Sequence, residues 1–413
     1  MAFERSGPAE AKHPLVTKEE ARRFLPSGLD IEMDTYYPEN GATCGEEHLR
    51  HVLGLMYPLL TQYRRVIVGQ RAPTLVTLIG MFAIGDRDPD HLGPGHVHIV
   101  GPPGTGKSLL GMTPRKIVGA DFKRIQGTNE LLPTDITGQE MLFGGPDERR
   151  REFVPGPIFS QILLFDEMRR VSPRSLSGIL ESMSEGKVHI RGVKHIANPF
   201  VIATDNPDES AGVQKLPDAL RDRFMFEAIE KPFTREDYRT ILKRTRTFQK
   251  MRLAKIGSYE DIVKARLFFH ETVHISDEME DFMAGLAVTL NTIDQGCLLQ
   301  KLRQRLQLPQ NEAVIRPGTM ILSGRSITHL EGAARAIAAL RYRNYVTFAD
   351  VQEILRPVIR HRTDLTPHAL STHENMREEL RKKFGRTGRS AMAEFILQEI
   401  IDVVWNHVYA EKR

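Results

Sequence analysis

The segment GPPGTGKS at residues 101–108 constrains this chain more than any other stretch. It sets Gly101, Gly106, Lys107 and Ser108 at the spacing G-x-x-x-x-G-K-[ST]. The run HVHIV at His96–Val100 precedes it and is predicted to be a strand, and SLLGM after it can open a helix. A strand, a glycine-rich loop and a helix in that order make a phosphate-binding loop. Glycines permit the tight turn that aims successive N–H groups at an anion. In such a loop Lys107 reaches the outer phosphates, Ser108 holds Mg²⁺, and the helix N-terminus adds partial positive charge. The candidate nucleotide-binding run is Gly101, Pro102, Pro103, Gly104, Thr105, Gly106, Lys107, Ser108 and Leu109.

Downstream residues extend the same chemistry. ILLFDEM at Ile162–Met168 is an apolar strand ending in two acids. Asp166 can hold Mg²⁺ through its water shell, and Glu167 can polarise an attacking water. FVIATDNP at Phe200–Pro207 reads as the next strand, ending in Thr204, Asp205 and Asn206. A neutral amide there can orient the water. Asn206 suits this better than Asp205, whose charge would stand beside phosphate; an Asx turn before Pro207 is the plain alternative. LPDALRDRF at Leu216–Phe224 carries Arg221 and Arg223, either of which can serve as an arginine finger or as a surface salt-bridge partner. SGRS at Ser323–Ser326 opens a long helical run, with Arg325 at a helix start that its charge slightly disfavours.

The strands expected at 97–100, 122–126, 162–166 and 199–204 alternate with helical segments, which predicts an α/β fold with a parallel sheet between helices. From Pro232 onward the pattern is helical, which predicts a following all-α domain. Helical spacing covers 46–65, and a buried helix is expected over 72–84. Residues 85–95 and 363–375 read as loops rich in breakers. With 413 residues there is chain enough for two domains. A net charge of +4 is too mild to argue for nucleic acid by itself. Two cysteines far apart in sequence, Cys44 and Cys297, argue against a disulfide framework and point to a reducing cytosol. The first residues lack the pattern of a signal peptide, and Leu75–Ile84 is too short to span a bilayer.

These stretches in this order resemble the AAA+ ATPases, and within them the MoxR family. The resemblance covers roughly 66–235 and 258–362. It rests on VIVGQ at 66–70, GPPGTGKS at 101–108, KRIQGTNELLPTDITG at 123–138, VPGPIF at 154–159, LLFDEMRRVSPRSLSGILESMSEGKV at 163–188, FVIATDNP at 200–207, LPDALRDRF at 216–224 and the helical stretch 323–362. It implies an N-terminal extension at 1–60, an ATPase core at 61–231, a helical lid at 232–362 with an insertion near 293–318, and a C-terminal extension at 363–413. It implies Lys107 and Ser108 as Walker A residues, Asp166 and Glu167 as Walker B, Asn206 as sensor 1, Arg223 (or Arg221) as the finger and Arg325 as sensor 2. Val68, Gly69 and Gln70 would lie near the adenine. The cofactors implied are ATP and Mg²⁺. The partners implied are further copies in a ring, a hexamer in this reading, a protein client, and a protein with a von Willebrand factor A domain. The insert after Ile125 and a hairpin near 187–198 would face the pore or top of that ring. The chain departs from the family in Arg169, where Asn is common, and in ATDNP, where the family has ATQNP.

Three weaker signals complete the reading. His91, His96 and His98 lack the partners that would complete a metal site. The basic run 381–389 reads as a solvated surface or as a contact for nucleic acid or an acidic partner. Met392, Phe395, Ile396, Ile400, Val403, Val404 and Val408 make one apolar stripe, which predicts a helix packed on its own domain or on a neighbouring copy. Two rival functions stand beside the client-remodelling ATPase: a nucleic-acid motor, supported by this run and by Lys243–Lys255, and a scaffold ring that ATP locks without turnover.

Overall fold

The computed structural model describes residues 44–88, 91–144, 150–206, 216–248, 253–295, 298–309, 312–384 and 388–411. The expectations for 1–43, Pro207, Cys297 and the middle of the basic run lie outside these residues. Among them the strands are β1 (Ile84–Asp88), β2 (His91–Pro94), β3 (Val97–Val100), β4 (Phe122–Gln126), β5 (Gly138–Phe143), β6 (Arg150–Pro155), β7 (Ile162–Asp166), β8 (Lys187–Ile190), β9 (Val193–Ile196), β10 (Phe200–Asp205) and β11 (Phe226–Ile229).

Five of them form a parallel sheet in the order β11–β3–β10–β7–β4. Residues Ile162–Phe165 and Phe200–Ala203 are fully buried, as near-continuous apolar runs must be when helices cover both faces. One side of the sheet shares a core with Ile179 and Met183 of the helix Ser177–Glu185 and with Leu220 and Phe224. Each such side chain contributes about 1.5–3 kcal/mol on burial. Because the strands run parallel and in register, Val100, Asp166 and Asp205 arrive at the same end of the sheet.

The chain divides into two compact units: Met1–His274 with Gly332–Val346, and Ile275–Glu331 with Thr347–Arg413. The first holds the sheet and the helices Arg235–Phe248 and Tyr259–Thr272. The second is helical. In it the last helix, Arg389–Glu411, packs on Asp277–Thr292, where Phe282 and Trp405 meet edge to face at 4.9 Å. Met392, Phe395, Ile396, Ile400, Val404 and Val408 are buried and Val403 half-buried, so the stripe serves its own unit. The stretch 293–318 also belongs to that unit: Asp294 accepts the Val314 and Ile315 N–H groups at 3.5 and 3.2 Å.

Some sequence expectations need correction. Most of the stretch expected as a loop at 85–95 is strand: Ile84–Asp88 and His91–Pro94 form the antiparallel pair β1–β2, with a register irregularity between Ile84 and Arg87. Its ladder needs only backbone groups, so its Gly, Asp and Pro content hid it. Residues 363–375 contain a helix at Pro367–Ser371, whose first turn Thr366 caps by accepting the Ala369 N–H, followed by a 3-10 turn at Thr372–Glu374. The helical stretch 46–65 has a π-helical turn at Val52–Met56 inside it. The expected helix 72–84 runs Arg71–Phe82, and the strand expected at 199–204 runs Phe200–Asp205.

Candidate functional site

The glycine-rich loop joins β3 to the helix Lys107–Val118. Gly104 and Gly106 take φ of +81° and +104°, and a Cβ on either would meet nothing within 4 Å. They are needed for backbone direction, not for space. Lys107 Nζ donates to its own loop carbonyls, Gly101 O at 2.6 Å and Pro102 O at 2.7 Å. Burial pulls the Lys107 pKa down, while Glu230, Asp166, Asp205 and Glu167 favour its charge. Thr105 Oγ1 lies 2.7 Å from Pro102 O and also reaches the Glu230 carboxylate.

Asp166, at the end of β7, gathers three donors. Ser108 Oγ donates to it at 2.8 Å, Arg124 Nη2 of β4 at 2.6 Å, and the Thr204 hydroxyl of β10 reaches its other oxygen. Glu167 follows with φ of +56°, a conformation side chains other than glycine rarely hold. Gly127 makes room for this turn: its N–H donates to Asp166 O at 2.7 Å, and a Cβ there would stand 2.2 Å from Glu167 O. Arg170 pairs with Glu167 at 3.2 Å.

Asn206 lies one residue past β10 and is half-buried. Asp205 does not simply add charge beside it. Its carboxylate is buried, meets His98 Nε2 at 2.7 Å, and accepts the Arg169 N–H at 2.9 Å. His98 Nδ1 faces Glu227 of β11 at 3.0 Å. Burial alone would lower the His98 pKa, but the hydrogen bonds and charges of Asp205 and Glu227 outweigh it and push it up to about 9. His96 goes elsewhere, with Nδ1 accepting the Val201 N–H at 3.1 Å, and the buried ring is pushed down to about 3.

The stretch Val68–Gln70 is fastened beside the loop's neighbour strand. Gln70 is buried, donates to Lys231 O at 2.8 Å and accepts Lys231 N–H at 3.0 Å, one residue past Glu230. Arg223 donates to Leu180 O at 3.0 Å and Ala219 O at 2.5 Å and also meets Ser184. Arg221 pairs with Asp218 at 2.5 Å. Arg325 belongs to the other unit, in the first turn of the helix Gly324–Leu340. Arg124 and Glu230 escaped the sequence reading, and His98 was weighed there only as a metal ligand. Each finds its partner on another strand or loop, so no local spacing signals it.

The donor set suits the implied ligands. Ser108 Oγ and an Asp166 oxygen form the sparse oxygen pair that Mg²⁺ takes when it keeps several waters. The open space over Gly104 and Gly106 leaves the loop backbone free to approach a polyphosphate.

Two family models match the chain. One is the ATPase family associated with various cellular activities, over residues 96–226, and the other is the AAA lid domain, over 319–382. The chain is 32% identical over 321 residues to the uncharacterized protein YeaC of Bacillus subtilis, covering 76% of this chain and 89% of that one. It is 30% identical over 334 residues to the chaperone MoxR1 of Mycobacterium tuberculosis, with coverage of 79% and 80%. A solved structure from Cytophaga hutchinsonii, described as that of a candidate ATPase, superposes with a TM-score of 0.64 at 26% identity, over 82% of this chain and 96% of the other.

Proposed function

The chain belongs to the MoxR family of AAA+ ATPases, and from that premise we propose that it hydrolyses ATP in a ring, a hexamer, and couples turnover to remodelling or maturing a protein client. The observation that carries the ATPase reading is the 2.8 Å bond from Ser108 to Asp166, beside the half-buried Lys107 of the loop. It joins the expected metal-facing residues of a helix start and a strand end beside the cation expected to meet the outer phosphates.

In this reading Lys107 offsets charge on the β- and γ-phosphates. Glu167 takes a proton from the attacking water, and Asn206 orients that water. The water oxygen bonds to the γ-phosphorus as the bond to the bridging oxygen breaks, leaving ADP and phosphate. Mg²⁺, when held by Ser108 and through water by Asp166, neutralises the phosphate oxygens. Arg223 of the next copy stabilises the transferring group, and Arg325 acts from the lid. The core is assigned to 61–231 and the lid to 232–362.

Exposed apolar side chains support a protein client. Met141, Leu142, Phe143 and Val154 stand out on β5–β6, and Val193 and Ile196 on β8–β9. A relative named as a chaperone points the same way. A partner with a von Willebrand factor A domain and a cytosolic setting complete the proposal. No described helix is long and apolar enough to cross a membrane.

Phosphate release and native mass spectrometry with ATP test this reading. The wild-type protein should turn over and form a closed ring, and Lys107→Ala should lose nucleotide affinity by at least about a hundredfold, the scale of two charge-assisted hydrogen bonds. Nucleotide binding unchanged in Lys107→Ala would overturn the loop assignment, and a monomer at working concentration would overturn the ring.

A further inference from the structure

The residue His98 sits on β3 with no place in the mechanism above, yet it lies among the most heavily connected groups of the site. Its ring is buried between two carboxylates, 2.7 Å from Asp205 Oδ2 on β10 and 3.0 Å from Glu227 Oε2 on β11. Phe224, just before β11, covers it with ring centroids 5.5 Å apart. The bond from His98 spans the step between the loop strand β3 and the water-orienting strand β10.

Asp205 is the hub of this arrangement. Its second carboxylate oxygen accepts the Arg169 N–H at 2.9 Å, two residues past Glu167. Its backbone oxygen accepts the Gly101 N–H at 3.1 Å, at the first residue of the phosphate loop. Its chain neighbour is Asn206. One carboxylate, at the last residue of β10 and next to Asn206, therefore touches the turn after Glu167. An uncompensated charge there would pull on both and would face the phosphates.

We propose that His98 is a positioning residue for hydrolysis: as a cation clamped between Asp205 and Glu227 it fixes Asp205, and through it the backbone that aims Glu167 and Asn206, while it offsets part of the negative charge that Asp205 would turn toward the γ-phosphate. This rests on the ATPase reading. It requires no contact between His98 and nucleotide. It predicts that His98 governs turnover and leaves affinity alone, which a residue that only holds the sheet together would not do selectively.

The charged and titratable groups facing the ring are Asp205 from β10 and Glu227 from β11, and both favour the imidazolium. Turnover should therefore fall as pH rises through about 9. Deprotonation of Lys107 is separable, because it would weaken nucleotide binding.

The test measures kcat and the Kd of a fluorescent ATP analogue for wild type, His98→Gln, Asp205→Asn and the double variant. His98→Gln should lower kcat about tenfold, the low end of what losing a positioning partner costs, with Kd within about threefold. Adding Asp205→Asn, which removes the stranded charge and keeps the amide in reach of Arg169, should return most of the turnover. Wild-type kcat in His98→Gln overturns the proposal, and so does a folded double variant no faster than His98→Gln. If His98→Gln does not fold, the wild-type protein decides. A kcat that falls above pH 9 while Kd holds supports the proposal, and a kcat flat from pH 8 to 10 overturns it. A wild-type protein without ATP turnover removes the ATPase reading and this role with it.

Discussion

The two units treat buried carboxylates differently. In the α/β unit, Asp166, Asp205 and Glu230 sit at strand ends and are met by side chains from other elements: Ser108 and Arg124, His98, and Thr105. In the helical unit, carboxylates finish the local structure. Asp350 takes the Thr347 N–H at 2.9 Å and hydroxyl at 2.8 Å, closing a capping box. Glu394 is the exception: it takes both arms of the Arg360 side chain, 34 positions earlier, at 2.8 Å. A carboxylate held by backbone donors has one job, whereas one held by side chains that can exchange partners is open to a ligand. Charge changes at Asp166 and Asp205 should therefore cost turnover first, and one at Asp350 stability first.

Arg223→Ala gives the largest expected departure. Turnover should fall about 10³-fold or more with nucleotide affinity unchanged, because a finger acts only on the transition state. Mixed oligomers with Lys107→Ala should regain activity, since one subunit keeps its loop and the other supplies the arginine. Rescue in Arg221→Ala mixtures and none with Arg223→Ala would move the finger to Arg221.

Glu167→Gln comes next. It should retain ATP in filter binding yet turn over about a hundredfold slower, the usual scale for a lost general base. Wild-type turnover would remove Glu167 from the chemistry and weaken the contrast.

Asp350→Ala probes the other unit. It leaves the Thr347 N–H and hydroxyl without their carboxylate partner, a loss of about 1–3 kcal/mol. A lower melting temperature is expected, with nucleotide affinity of the folded protein unchanged. Altered affinity without lost stability would break the comparison.

Glu230→Gln should have the smallest effect, with a sign set by pH. Burial raises the Glu230 pKa, more than Thr105 and the Lys107 charge lower it. The folded state thus holds the proton more tightly than the unfolded chain, and the benefit is lost as pH rises through the folded value. Glu230→Gln should raise the melting temperature at pH 8. The gain should vanish as pH drops below the ordinary value of 4.5. A gain that grows at low pH would show that Glu230 is stabilised as an anion.

The strands β3, β4, β7 and β10 and the residues Gly101–Ser108 and Asp166 were legible because each rests on local pattern: an apolar run, then a turn or an acid. β11 was not legible. Its four residues, FEAI, carry a Glu among apolar neighbours, and that Glu227 meets His98, 129 positions earlier. Glu230 and Arg124 were invisible for the same reason. The Arg169 and Asp205 departures were readable as changes in charge, but not as partners of each other through a backbone N–H.

The left-handed turn at Glu167 carries a consequence for laboratory evolution. Such a backbone costs a side-chain residue about 1 kcal/mol that glycine does not lose. Glu167→Gly should thus give a slightly hardier protein with no carboxylate at the water. A library screened for heat resistance alone would enrich that dead variant, so any selection for robustness on this scaffold has to be paired with a demand for turnover.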